Sequence, residues 1–466
     1  MTDGLPHPQR FFAFLTIAIA IIMAVLDSSI VNVALPAIGR DLSVSPENAI
    51  WVVNAYQLAI TVSLLPLASL GDILGYKRIY WTGLAVFTLA SFACANAHTL
   101  LILSCARVVQ GLGAAGIMSV NIALVRFIYP KAKLGVGVGY ASLIVAVSSA
   151  AGPSVASAIL SVAHWQWLFL VNVPLGVLAL VIGARTLPIT PASGKRLNKL
   201  SALLNAVTFG LLISGLAAFS EAGTTQHGVL MVAAALLIGI VYLWRESRLA
   251  EPMLPIDLLR MPVFSLSMIT SICSFAAQTM AFVALPFYFE QTLGRSATQT
   301  GLLLTPWPLM TALIAPMAGR LSDKVSPERI SSLGLIFLGG GLVSLCWLGE
   351  APSFFAISWR LAICGLGFGL FQSPNNRVIM GSAPRERSGG ASGLQSMGRL
   401  LGQSIGAVVV ALVFGLVQHH QTVVITAIAA ALALLAANSS AFRRKKLRSD
   451  DSPSPGMAPT PVVSDR

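Results

Sequence analysis

Two side chains in this sequence have the chemistry to move a proton inside a membrane. Asp27 stands in LDSSIVNVALP (26–36), near the end of an apolar run that begins at Phe11, and Arg107 opens RVVQGLGAAG (107–116) in another. A central Asp costs a spanning helix roughly 2.5–3.5 kcal/mol, so an acid kept there is a functional candidate by default. Burial raises the pKa of such a carboxyl, and a nearby guanidinium lowers it. An Asp that gains or loses its Arg between two conformations can therefore load and release a proton, which makes Asp27 and Arg107 the candidate coupling pair. A purely structural pair joining the first and fourth helices is the other reading, and the two are compatible. The first run heads outward and the fourth inward, and each residue lies about eight residues from its outer end, roughly 12 Å at the helical rise. No other Asp or Glu lies deep in an apolar run.

This chemistry requires that the runs span a bilayer, and composition says that they do. The 466 residues are 56% hydrophobic and only 10% charged, against about 25% charged for a soluble protein. The net charge of +13 does not point to nucleic acid, because the basic residues sit in short clusters between apolar runs. Fourteen runs have the length that crosses ~30 Å of hydrocarbon as a helix. The expectation is an all-α polytopic membrane protein: an N-terminus at 1–10, a six-helix half at 11–187, a linker at 188–263 with inserted helices near 199–219 and 227–245, a second half at 264–440, and a tail at 441–466. With the N-terminus inside, all but five of the 30 Lys and Arg fall in cytoplasmic segments; Arg40 and Arg295 are in outer loops, and Arg107, Arg360 and Arg399 are within spans. That bias places both termini in the cytoplasm. The first run exceeds the 7–15 residues or so of a signal-peptide core. The five cysteines lie in apolar runs without metal-ligand spacing, so neither metal nor cofactor is expected. The end of the tail, SDDSPSPGMAPTPVVSDR, has a disordered composition.

The halves repeat each other. VALP occurs at 33–36 and 283–286, and LGDILGYKR at 70–78 has a counterpart LSDKVSPER at 321–329. Paired halves with a binding site at their interface are the plan of many secondary transporters. In these loops Asp72, Gly75, Lys77 and Arg78 face a matching set, Arg320, Asp323 and Arg329, and the repetition favours a charge-relay latch over a plain basic anchor. GLGAAG (111–116) matches a dinucleotide fingerprint in letters only, since no strand precedes it and the next acid is Glu221. In a membrane helix its small residues admit a close neighbour. Gly152 and Pro153 permit a kink in the fifth helix. Candidate cavity residues are Asn32, Asn54, Gln57, Gln110, Gln278, Arg360, Arg399 and Gln403. A mostly apolar cavity suits lipophilic cations or neutral aromatics, while Arg360 and Arg399, lacking an acid in the membrane, leave room for anions.

With these motifs in order, the chain resembles the major facilitator superfamily, and within it the fourteen-helix drug:proton antiporter branch of the EmrB/QacA type. The resemblance covers about 11–440 and rests on LDSSIVNVALP, ASLGDILGYKR (68–78), RVVQGLGAAG, AVSSAAGPSVAS (146–157) and WQWLFLVNVPLG (165–176). It departs at Ile73, where the loop motif usually has a basic residue. It implies proton-driven efflux of drugs by alternating access in the cytoplasmic membrane, assigns the Gly152–Pro153 pair to antiporters, and implies small molecules, protons and lipid as partners. A monomer is expected, and a periplasmic adaptor protein is a candidate partner. A narrow-substrate metabolite exporter of the same fold is the alternative. A sensor or membrane enzyme is disfavoured, since no hydrolase or metal motif and no sizeable soluble domain are present.

Overall fold

The computed structural model describes residues 4–44, 49, 51–192, 197–218, 225–249, 252–295, 297–349, 352–384, 387–417 and 420–450. Helices dominate it: α1 His7–Asp41, α2 Trp51–Leu74, α3 Tyr76–Ala95, α4 Leu100–Ile128, α5 Leu134–Val162, α6 Trp167–Thr186, α7 Lys199–Ala218, α8 Thr225–Glu246, α9 Pro262–Phe287, α10 Gln299–Leu321, α11 Pro327–Leu345, α12 Phe354–Ser382, α13 Ser388–Leu416 and α14 Gln421–Asp450. In hydrocarbon every backbone N–H and C=O must be satisfied within its own segment, which long apolar helices do. Thirteen of these, among the described residues, are long and apolar enough to cross a membrane; α7 is apolar but shorter over Lys199–Gly215. The fourth helix of each half starts from a hydroxyl cap: Thr99 accepts from the Ile102 N–H at 3.3 Å, and Ser353 from the Ala356 N–H at 3.1 Å.

Some boundaries differ from expectation. α1 runs past Leu35 to Asp41, whose carboxylate accepts the Trp165 indole N–H at 2.7 Å. α14 runs through the basic cluster to Asp450, because that stretch of the 441–466 tail holds no Pro before Pro453. α5 is one continuous helix through Gly152 and Pro153, and the Pro153 side chain lies outside the described residues.

The inserted pair forms an antiparallel hairpin. Ser201 near the start of α7 donates to the Glu246 carboxylate at the end of α8, and Glu246 also accepts the Leu254 N–H at 3.0 Å. The hairpin therefore starts and ends on the same face. Asn205 of α7 bonds the Val62 carbonyl of α2 at 3.1 Å, while Leu236, Leu237 and Ile240 of α8 remain exposed to the surroundings. Apolar side chains exposed along a membrane helix read as a lipid-facing stripe.

Side chains from both halves share one core toward the end where α1 begins and α14 ends, here the terminal face. Ile17, Tyr80 and Phe87 belong to it together with Met268, Ile379 and Leu400, and a separate core around Phe289, Trp307 and Phe371 holds the second half. Across the halves α2 packs on α13 and α5 on α10.

Candidate functional site

Asp27 and Arg107 meet. Arg107 Nη1 lies 2.5 Å from Asp27 Oδ2, with the two residues 0% and 2% exposed. Five helices of the first half converge on the pair. Gln110 Nε2 of α4 donates to Asp27 Oδ1 at 2.9 Å, and Asn172 Nδ2 of α6 does so at 3.3 Å. Gln110 Nε2 also reaches the Ser91 hydroxyl of α3 at 2.9 Å, and its Oε1 accepts from Arg107 Nη1 at 2.7 Å. Arg107 Nε donates to the Val52 carbonyl of α2 at 2.9 Å, and its guanidinium lies 4.0 Å from the Tyr56 ring centroid. A desolvated guanidinium over an aromatic face gains about 2 kcal/mol. Arg107 Nη2 alone has no partner.

Gln110 is thus a member of the ion-pair network and not a cavity residue. Asn172, Ser91 and Tyr56, which complete the network, carry no charge and stand in otherwise ordinary helical runs; only VNVP around Asn172 hinted at one of them.

Beside the pair, between the halves, lies a cavity of about 480 Å³, within the size range of small-molecule sites. Asn54, Gln57, Arg399 and Gln403 line it, together with Tyr56 and Arg107. Gln278 and Arg360 do not. Gln278 is half-buried elsewhere on α9. Arg360 is held near the start of α12 by the Ser344 and Ala356 carbonyls, at 3.0 and 2.6 Å, and stacks on Trp359. The Asn32 side chain lies outside the described residues. Further amides reach the cavity from α4, α12 and α13: Asn121, Gln372, Asn376 and Gln395. Two signals in the sequence mark some of these. Gln395, Arg399 and Gln403 follow one another at four-residue spacing on one helix face, and Asn121 and Gln372 stand at the repeat offset of the loop motif.

At the terminal face the two halves are bolted together by acids, but not to the expected bases. Asp72 at the end of α2 accepts the Gly389 and Gly390 N–H groups of α13 at 3.0 and 3.1 Å, and the Tyr76 hydroxyl at 2.7 Å. Asp323 beyond α10 accepts the Gly135 N–H of α5 at 3.2 Å and pairs with Arg377 at 3.2 Å. The first N–H groups of a helix have no internal partner and carry a partial positive charge, so a carboxylate completes them. Burial pushes the Asp323 carboxyl up, against the opposing pull of Arg377 and the Gly135 and Val136 N–H groups.

The expected basic members lie apart from these acids. Lys77 bonds the Ala184 carbonyl at 2.9 Å, Arg78 and Arg329 are exposed, and Arg320 crosses the halves to the Tyr140 hydroxyl at 2.7 Å. Gly75 turns the chain between α2 and α3 with φ 93°, which a residue with a side chain rarely adopts. Arg126 also reaches across the halves, whereas Arg377 pairs with Asp323 within the second half. Arg126 holds the Ala383 carbonyl and the Ser388 hydroxyl, each at 2.9 Å. Among the described residues the hydrogen bonds joining the two halves lie toward this face, the deepest being Ser396 to the Met118 carbonyl at 3.2 Å.

Comparison with known proteins follows the same architecture. Residues 17–407 and 267–464 match the Major Facilitator Superfamily profile, and the second match falls on the second half. The chain is 53% identical over 449 residues to YebQ, an uncharacterized transporter of Escherichia coli (strain K12), covering 96% of this chain and 98% of that one. It is 31% identical over 412 residues to the multidrug resistance protein Stp of Mycobacterium tuberculosis (strain CDC 1551 / Oshkosh), covering 87% and 76%. Among solved structures, the human organic anion transporter MFSD10 (TETRAN) superposes with a TM-score of 0.69 over 92% of this chain and 99% of that one, at 14% identity. That likeness is one of fold.

Proposed function

The chain belongs to the major facilitator superfamily, and from that premise we propose that it is a proton-driven exporter of drugs or other toxic small molecules. It belongs in the fourteen-helix antiporter branch, with α7 and α8 counted as a spanning hairpin. Both termini face the cytoplasm of a bacterial-type cytoplasmic membrane, and the protein works as a monomer by alternating access. The observation that carries this reading is the Asp27–Arg107 pair buried beside a cavity that both halves line.

Under this assignment the terminal face is cytoplasmic, and the conformation is one sealed on that side. Asp27 is the proton carrier. A proton on Asp27 cancels the attraction that holds Arg107, whose side chain already borders the cavity. Freed from the pair, Arg107 changes what the cavity offers a ligand, so proton and cargo become coupled through one guanidinium. Gln110 and Asn172, both donors to Asp27 Oδ1, orient the carboxylate for the return of its partner. Release of the Asp72 and Asp323 contacts then opens the cytoplasmic side.

The amide-rich wall favours one second reading, a narrow-substrate metabolite exporter, because many fixed hydrogen-bonding groups discriminate more sharply than an apolar surface. Gradient-driven uptake of a compound panel into everted vesicles tests both. The antiporter reading requires uptake that collapses with the proton gradient and is lost in Asp27→Asn while that variant still reaches the membrane. Uptake of a single compound among many selects the second reading, and normal transport by Asp27→Asn removes the coupling role.

A further inference from the structure

Arg399 stands in the wall of the central cavity with a charge that no described residue balances. Among the described residues it makes neither a hydrogen bond nor an ion pair, and no Asp or Glu lines the cavity. Asp27, outside the cavity lining, is engaged by Arg107, Gln110 and Asn172. Arg107 itself borders the cavity, and its buried Nη2 is an unused donor. An uncompensated cation at membrane depth is costly, and such residues mark ligand paths.

We propose that Arg399 is the anchor for an anionic group of the cargo, and that the cavity selects aromatic or amphipathic organic anions over cations. A guanidinium presents a planar fork of donors that matches a carboxylate bidentately. Gln395 and Gln403 flank Arg399 by one helical turn on either side, and Asn54 and Gln57 of α2 also line the wall. Amides of this kind suit the carbonyl and hydroxyl groups of a polar aromatic acid. Tyr56 and Phe275 line the same cavity and supply flat apolar surface for its rings. A lipophilic cation would meet the opposite environment: an unpaired guanidinium and no accessible carboxylate. The inference names the substrate class of the transport site proposed above and rests on that reading, but it is tested by equilibrium binding without any gradient.

The full-length protein in zwitterionic-lipid nanodiscs is titrated by calorimetry with three near-isosteric probes: 2-naphthoate, 2-naphthamide and 2-naphthylmethylammonium. Naphthoate is expected to bind at least tenfold tighter than the amide, and the ammonium probe weakest. Arg399→Gln brings naphthoate to within about twofold of the amide, and Arg399→Lys retains part of the preference. Equal affinities, tightest binding of the cation, no saturable binding of naphthoate, or a preference that survives Arg399→Gln each overturn the proposal. Were Arg399→Gln to misfold, the order among the three probes on the wild type, with the partial preference of Arg399→Lys, decides. A failed binding test with intact gradient-driven flux rejects the anion anchor alone; intact anion binding without flux rejects the coupling.

Discussion

Asp72 and Asp323, equivalent residues of the two halves, each complete the N-terminus of a helix in the opposite half: Asp72 that of α13 through Gly389 and Gly390, Asp323 that of α5 through Gly135. The contact between the halves is therefore a carboxylate against a helix start, made twice, with Arg126 and Arg377 bracing it. Hydrogen bonds to charged groups contribute about 1.5–3 kcal/mol each. Loss of even one such bond shifts the ratio of closed to open terminal face by about tenfold to a hundredfold.

Asp72→Asn is expected to open the terminal face, since Asp72 holds two N–H groups of the opposite half. Spin labels at the exposed positions 78 and 329, one in each half, report the change as a longer component in their distance distribution. An unchanged distribution in Asp72→Asn would refute the latch.

Acid should tighten the same face through Asp323. Its carboxyl is raised in the closed conformation by burial, which outweighs Arg377 and the Gly135 and Val136 N–H groups, whereas an opened face returns it to a solvated value of about 3.9. The closed form then binds the proton more tightly, so closure gains as pH falls through the raised value and the gain is complete below about 3.9. The label distances measured from pH 7 to pH 4 should shorten in the wild type and shorten less in Asp323→Asn.

How much of this could be read in the letters depends on what kind of group does the work. The helices follow from uninterrupted apolar length, and α5 begins at Leu134 and ends at Val162 because charged or aromatic residues bound it on both sides. The meeting of Asp27 and Arg107 follows from equal depth on facing helices. The latch partners were hidden, because Gly389, Gly390 and Gly135 act through backbone N–H groups that no side chain announces. Arg126 and Arg377 were visible in principle, standing at the same offset as Asp72 and Asp323. Gln110 was misread as a cavity residue because a lone amide on a helix says nothing about which neighbour will engage it.

Removing one partner of a buried ion pair costs about 3–5 kcal/mol, much of it from the charge left behind, while removing both can cost little. Asp27→Asn should therefore lower the thermal midpoint of the purified protein clearly, and Asp27→Asn with Arg107→Gln should recover part of the loss. Neither variant should couple transport to protons. A double variant less stable than the single one would show that Arg107 holds the fold through Val52 and Tyr56 more than through Asp27.

Close approach of α3 and α4 depends on Gly113. A Cβ there would come within 2.5 Å of the Phe87 nitrogen and 2.8 Å of the Gly83 carbonyl oxygen, so the helices must separate to admit even alanine. Overpacking of this kind costs about 1–3 kcal/mol, and Gly113→Ala is expected to lower the thermal midpoint. Gly340 in α11 is the control, since a Cβ there meets nothing within 4 Å. Gly340→Ala should hold or raise the midpoint, because alanine removes the entropic cost of glycine in a helix, about 0.5–1 kcal/mol. Equal responses at the two positions would mean that the small residues of GLGAAG do not set the spacing of these helices, and with it the depth at which α4 presents Arg107 to Asp27.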